Sequence, residues 1–364
     1  MCATTVQNPD TNRAGWQYII EKWRHYPGFA ATAERLTVKY LQKNIRLKQT
    51  SDIHTVKIPE ELKATVERVH GEQGRQWLLM LPALLNECRA RWSLELNEPF
   101  ENLSYNLVLP GRMADGSEIV LKTGAPCPEL ITEAAALRLF DGVGAARLLD
   151  ADAPRGILLL ERITPGMPLY KLLEDAEATR TAAKLMCRLW RTPPANHTFP
   201  SLAVWFSAFE RLRNRFDGGS GPFPSEIITK AENTFNRLNA SSNTEVILHG
   251  DLHHANILSS TRGGWVAIDP KGILGDPGYE VGSFMLNRLP PEASAAAMTE
   301  ILSRRLSIFS EELHIGRERL AQWAFCHAVL SALWDFEESA EWERTIQLAQ
   351  ILQRALLQEL HMSL

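Results

Sequence analysis

The sequence predicts an α+β protein in which a small β-rich lobe precedes a mainly helical one, with further helices at the N-terminal end. Three observations predict it. Short apolar runs separated by turn residues cluster between residues 103 and 160. Beyond Pro168 apolar residues recur at the helical period. Within that helical part, two short apolar runs frame residues 249–256 and end at Asp269. The 364 residues suffice for two lobes, and 45% hydrophobic with 23% charged residues is ordinary for a globular chain.

In chain order, residues 1–10 are small and polar and are expected to be disordered. Residues 15–48 mix Trp16, Ile19, Trp23, Leu36 and Leu41 with many Lys and Arg, and Pro27-Gly28 interrupts them. They read as two short basic amphipathic helices, a docking extension or a partner-binding or membrane-surface element. Pro59-Glu60-Glu61 is a helix start, with acids near the positive end of the dipole. Residues 73–92 read as a helix or helix pair with Pro82 at a start or kink, and Trp77, Leu81, Leu84 and Leu85 face the lobe behind.

Residues 103–109 and 117–123 read as a β-hairpin, with turn signals at Pro110-Gly111 and Asp115-Gly116. Lys122 leaves the apolar run Ile119-Val120-Leu121. The helix over 131–140 follows, and Glu133 in its first turns is placed to pair with Lys122. Such a lysine can span phosphates as a point charge. Residues 147–150 and 157–160 read as strands about a turn at 152–156, and Thr164-Pro165-Gly166 is a breaker.

The later helices are expected at 169–173, 179–191, 202–216, 227–238, 293–310, 316–336 and 341–361. Their aromatic residues Trp190, Trp205, Phe206 and Phe209 read as core. A strand at 245–248 leads into His249-Gly-Asp-Leu-His-His-Ala-Asn256, and residues 257–258 and 265–268 form a hairpin about Arg262-Gly-Gly264. Asp276 reads as an N-cap with Pro277 in the first turn.

An Asp five residues before an Asn, with a second Asp ending the next apolar run, is what phosphoryl transfer needs. Asp251 can accept the proton of an attacking hydroxyl, and Asn256 and Asp269 can share a divalent cation. Hard oxygen ligands suit Mg²⁺, which takes few protein ligands. His249 and His253 read as braces of the loop rather than bases.

His249-Gly250-Asp251 through Asn256 resembles the catalytic loop of the protein-kinase-like small-molecule kinases, with Gly250 where protein kinases usually have Arg. Together with Gly264-Trp-Val-Ala-Ile-Asp-Pro-Lys-Gly272 it is similar to the aminoglycoside phosphotransferases. The branch it resembles is that of the streptomycin 6-kinases, also described as aminoglycoside/hydroxyurea kinases. The likeness covers roughly residues 58–364.

The resemblance implies a two-lobed protein-kinase-like fold, ATP or GTP as phosphoryl donor, a cationic streptomycin-like acceptor, and antibiotic resistance as the outcome. It implies that backbone groups near Glu161 and Ile163 pair with the purine edge. It places acceptor-binding residues on the helix after the metal strand and on a late helix, where Glu280, Trp334 and Asp335 are the candidates. One departure stands out: no G-x-G-x-x-G precedes Lys122, which leaves the phosphate-covering loop unassigned.

The expected domains are a helical extension over 1–92, a nucleotide-binding lobe and hinge over 93–163, and a catalytic, acceptor-binding lobe over 164–364. A net charge of −4 gives no basic excess for nucleic acid. Five scattered cysteines without a C-x-x-C read as reduced thiols of a cytoplasmic protein, and no apolar run reaches a membrane span. Two alternatives remain: a kinase of hydroxyurea or another small alcohol, and a catalytically silent nucleotide-binding module.

Overall fold

Two compact units make up the computed structural model, which describes residues 56–101, 103–338 and 342–362. One unit comprises the described residues up to Ala134 with Leu148–Arg162, and the other comprises Ala135–Arg147 with the described residues from Ile163 onward. The polar start and the basic helices expected over 15–48 lie outside the described residues.

The first unit begins with helix α1 (Glu60–Trp92), which holds Pro82 but breaks at Gly71 (φ 54°, ψ −128°). The kink expected at Pro82 thus falls eleven residues earlier, at the residue that tolerates a left-handed backbone. There the chain doubles back, and a Cβ on Gly74 would lie 2.5 Å from the Val66 carbonyl oxygen. Strands β1 (Glu95–Leu96), β2 (Leu107–Arg112) and β3 (Glu118–Thr123) follow. Helix α2 (Pro128–Phe140), β4 (Leu148–Asp152) and β5 (Ile157–Glu161) come next, and the five-stranded antiparallel sheet runs β1-β2-β3-β5-β4.

Alternation along these strands decides which face each residue meets. Leu107, Leu109, Ile119, Leu121, Ile157 and Leu159 share one buried cluster with Trp77, Leu81, Leu84 and Leu85 of α1. Helix α1, expected as an extension ahead of the lobe, therefore shares its core. Pro110-Gly111 does not turn the chain but lies in β2, where Pro110 O accepts from Asn97 N at 2.9 Å. A Cβ on Gly111 would sit 2.5 Å from Glu95 O, so glycine is what lets β1 approach. The turn falls instead at Met113–Ser117, where Asp115 Oδ1 accepts from Ser117 N.

The second unit holds β6 (Pro165–Pro168), α3 (Leu169–Leu172), α4 (Asp175–Leu189), α5 (Leu202–Arg215) and α6 (Ser225–Ala240). Strands β7 (Val246–Leu248), β8 (Ile257–Ser260), β9 (Trp265–Ala267) and β10 (Ile273–Gly275) come next. A 3₁₀ turn at Pro277–Glu280 leads into α7 (Val281–Leu286), α8 (Ala295–Leu313), α9 (Arg317–Glu338) and α10 (Glu343–Met362). Two strands were not legible: β6, built from Pro-Gly-Met-Pro, and β10. The first is an edge strand against β8, the position where a sheet tolerates proline. The second pairs antiparallel with β7.

Helix α9 is the centre of this unit. Trp323 through Cys326 and Ala328 through Leu330 are all buried, as expected of a helix covered on every side. Phe206 of α5 stacks on Phe235 of α6 at 3.8 Å between ring centroids, and both meet Trp323 edge-on. Among the described residues, Cys88, Cys187 and Cys326 are free thiols, and no helix is long and apolar enough to cross a membrane.

Candidate active site

Lys122 is the residue of β3 that follows core-facing Leu121, so the pleat turns it to the opposite face. There its Nζ donates to both carboxylate oxygens of Glu133 on α2, each at 2.8 Å. Both side chains are buried. Breaking a buried ion pair by removing one partner typically costs about 3–5 kcal/mol. Glu161 closes β5 in register with Ile119, and Ile163 lies two residues on, with its carbonyl against Gly166.

In the second unit, β7 delivers the loop 249–256 and β10 runs antiparallel beside it. The loop is held by its own first residue. His249 Nε2 meets Ile268 O at 2.8 Å, Nδ1 accepts from Asp251 N at 3.2 Å, and its carbonyl accepts from Lys271 N at 2.7 Å. The Ile268 carbonyl contact puts the ring proton on Nε2. Burial pushes the His249 imidazole down to about 4, so it stays neutral near neutral pH and acts as a brace.

Asp251 is the carboxylate at the tip. Its Oδ1 accepts from Ser283 Oγ at 2.7 Å, and its Oδ2 faces His253 Nε2 at 3.9 Å. About a third of the side chain is exposed. Asn256 Nδ2 donates to Asp251 O at 3.0 Å, which fixes the amide and leaves its Oδ1 as an acceptor. Asn256 O accepts from Ile268 N at 2.9 Å, so the β8–β9 hairpin brings Asn256 opposite the residue before Asp269. Asp269 itself has a left-handed backbone (φ 59°), uncommon for a residue with a side chain.

The donor set fits a hard cation. Two oxygen-bearing side chains, an amide and a carboxylate, stand at the ends of one hairpin. Among the described residues no three His, Cys, Asp or Glu side chains converge as a protein-only metal cage. Mg²⁺ is a hard cation that generally takes one or two protein oxygens and completes its shell with waters and phosphates.

Glu280, expected at the acceptor side, is turned inward. It is 2% exposed, with Oε2 accepting from His249 N and Oε1 from Gly250 N, both at 2.8 Å. Gly250 has φ +84°, and a Cβ there would lie 3.0 Å from Trp205 Cη2, so the position calls for glycine. Burial pushes the Glu280 carboxyl up to about 7 against the pull of these two N–H donors. Beside it, Tyr279 OH meets His327 Nδ1 at 2.8 Å, and burial lowers that imidazole to about 4.

The sequence carried no signal for Ser283. Its helix α7 is short and is fixed from outside by Arg305 of α8. That buried guanidinium donates to Phe284 O, Met285 O and Asn287 O at 2.9–3.1 Å and pairs with Asp175 at 2.6 Å. Arg305 was invisible for the same reason, since nothing in a solvated helix pattern marks one arginine as a cap for another helix. Asp276 is the N-cap expected, accepting from Gly278 N at 2.8 Å, and it also pairs with Arg319.

Trp334 is half-buried and meets Trp205 edge-on at 5.4 Å. Asp335 accepts from Thr345 Oγ1 at 2.6 Å, and Glu337 is engaged by Arg211 through both oxygens at 3.1 Å. Trp205, read as core, is itself only half-buried. A Cβ on Gly250 would lie 3.0 Å from Trp205 Cη2, so the indole lies against the residue preceding Asp251. The residue type alone could not tell such an aromatic wall from a core tryptophan.

Comparison with known proteins adds a second line of observation. Residues 91–339 match the family described as aminoglycoside/hydroxyurea antibiotic resistance kinase. A streptomycin 6-kinase of Streptomyces glaucescens is 30% identical over 285 residues, covering 78% of this chain and 92% of that protein. A hydroxyurea phosphotransferase of Kitasatospora aureofaciens is 34% identical over 310 residues, covering 82% and 86%. Among solved structures, a thermostable mutant of aminoglycoside phosphotransferase APH(4)-Ia, in ternary complex with ADP and hygromycin B, aligns with a TM-score of 0.54. That alignment covers 74% of this chain and 97% of the other at 11% identity, a likeness of fold.

Proposed function

The chain belongs to the aminoglycoside/hydroxyurea antibiotic resistance kinases and is a small-molecule phosphotransferase, and from that premise we propose that it transfers the γ-phosphoryl group of ATP to a hydroxyl of a streptomycin-like aminoglycoside. The observation that carries the reading is Asp251, a partly exposed carboxylate on a loop braced at His249 and Glu280, with Asn256 and Asp269 at the ends of the adjoining hairpin.

The acceptor hydroxyl attacks the γ-phosphorus in line, and no covalent enzyme intermediate forms. Asp251 orients the hydroxyl and takes its proton, which leaves late, so a strong base is not required. Lys122, held by Glu133, binds the phosphates as a point charge. Backbone groups near Glu161 and Ile163 take the purine edge. Asn256 and Asp269 would hold Mg²⁺, which when bound neutralises charge on the phosphates. Trp334, Asp335 and the wall formed by Trp205 meet the acceptor, whose guanidinium groups are attracted to indole faces.

The 34% identity to a hydroxyurea phosphotransferase favours a second reading, in which the acceptor hydroxyl is that of hydroxyurea. Both readings use the same catalytic residues.

Mass spectrometry of streptomycin and of hydroxyurea, each incubated with protein, ATP and Mg²⁺, tests the proposal. One added phosphoryl group on streptomycin supports the first reading, and one on hydroxyurea alone supports the second. Asp251→Ala should lower turnover by about a hundred- to ten-thousandfold, the usual worth of a positioned base, with nucleotide affinity largely kept. Intact turnover with lost nucleotide affinity would overturn the role given to Asp251.

A further inference from the structure

The two oxygens of Asp251 stand in different surroundings. Oδ1 lies 2.7 Å from the hydroxyl of Ser283, which is 5% exposed. A carboxylate only accepts, so the serine donates. Among the described residues Oδ2 has no donor so close: His253 Nε2 stands 3.9 Å away, beyond hydrogen-bond reach. The His253 ring is itself fixed, because Nδ1 accepts from Ala255 N at 3.2 Å. That assignment puts its proton on Nε2, on the side of Oδ2.

Ser283 is held firmly enough to act as a reference point. Its carbonyl accepts from Asn287 Nδ2 at 3.1 Å, and the carbonyls that follow it are capped by Arg305. Gly282, its neighbour, lets α7 lie against α9, since a Cβ there would meet His327 at 2.5 Å. The serine hydroxyl therefore reaches Asp251 from a helix anchored on both sides.

We infer that Ser283 is a positioning residue that engages Oδ1 of Asp251 and so assigns Oδ2 as the oxygen that takes the acceptor's proton. The inference rests on the phosphotransferase reading of Asp251. In the step it serves, the acceptor O–H bond breaks and its proton passes to Oδ2. The hydroxyl oxygen forms a bond to the γ-phosphorus, and the bond from that phosphorus to the leaving oxygen breaks with its electron pair retained by ADP. Without Ser283, the carboxylate turns about its own bond and both oxygens share the role, so the fraction aligned for attack falls.

Steady-state kinetics of Ser283→Ala and Ser283→Thr test this, with thermal midpoints measured alongside. A hydrogen bond to a charged group predicts a fall in kcat of about ten- to a hundredfold for Ser283→Ala. The KM for ATP should stay within about twofold, and Ser283→Thr, which keeps the hydroxyl, should recover most of the loss. Wild-type kcat in Ser283→Ala would overturn the inference. So would a threonine variant no better than alanine, or a kcat loss that travels with lost nucleotide affinity or a collapsed melting transition. Asp251→Ala separates the two levels: if that variant keeps turnover, the reading of Asp251 is at fault rather than that of Ser283.

Discussion

Replacing Glu280 with Gln isolates the buried carboxylate beneath the loop 249–256. In the folded protein burial raises its carboxyl from the ordinary 4.5 to about 7. Below about pH 4.5 the group is protonated in both folded and unfolded chains and contributes no pH-dependent term. Between 4.5 and about 7 the unfolded chain ionises while the folded one resists, so the wild type loses stability as pH rises through this window. At roughly 1.4 kcal/mol per pH unit the full effect is about 3 kcal/mol, reached above about pH 7. Glutamine does not titrate and removes that slope. It has one acceptor oxygen for two backbone N–H donors, so a constant loss of about 1–3 kcal/mol offsets the gain. Denaturant melts of both proteins at about pH 5 and about pH 8 should therefore show the stability difference moving toward the variant by about 2–3 kcal/mol as pH rises. Parallel pH profiles would refute the reasoning, and so would a difference moving toward the wild type.

Two further substitutions probe the frame and the acceptor side. Arg305→Met leaves three carbonyls at the end of α7 without their donor and takes from Asp175 a buried partner. Chemical denaturation should show a loss of about 3–5 kcal/mol, and a loss under about 1 kcal/mol would contradict the capping role. Trp205→Ala removes the indole beside Gly250, and the KM for a guanidinium-bearing acceptor should rise about two- to thirtyfold while the KM for ATP holds. An unchanged acceptor KM in a folded variant would return Trp205 to the core.

Features of this fold that repeat locally were legible in the sequence. The alternation along β3 is one: Ile119 and Leu121 face α1, and the same pleat sends Lys122 the other way, toward a glutamate eleven residues on. The loop from His249 to Asn256 pointed to a family through its residue types and spacing, and that family is the one whose model matches residues 91–339. Turn residues misled where tertiary contacts decide. Pro110-Gly111 reads as a turn, yet the approach of Glu95 needs a glycine within a strand. Pro82 reads as a kink, yet Gly71 is where the backbone reverses.

Glu280 shows why the support of the site was harder to read than its tip. An acid three residues after a Gly-Asp-Pro run looks like a solvated helix-end charge, and its sign alone matched a cationic acceptor. Its actual partners are backbone N–H groups thirty-one and thirty residues earlier, and backbone donors leave no mark in a sequence. His249 N and Gly250 N both point at one carboxyl group, and that group is buried beneath the loop at the cost of a raised pKa. Only the three-dimensional arrangement pairs these donors with Glu280 rather than with another acid of the chain.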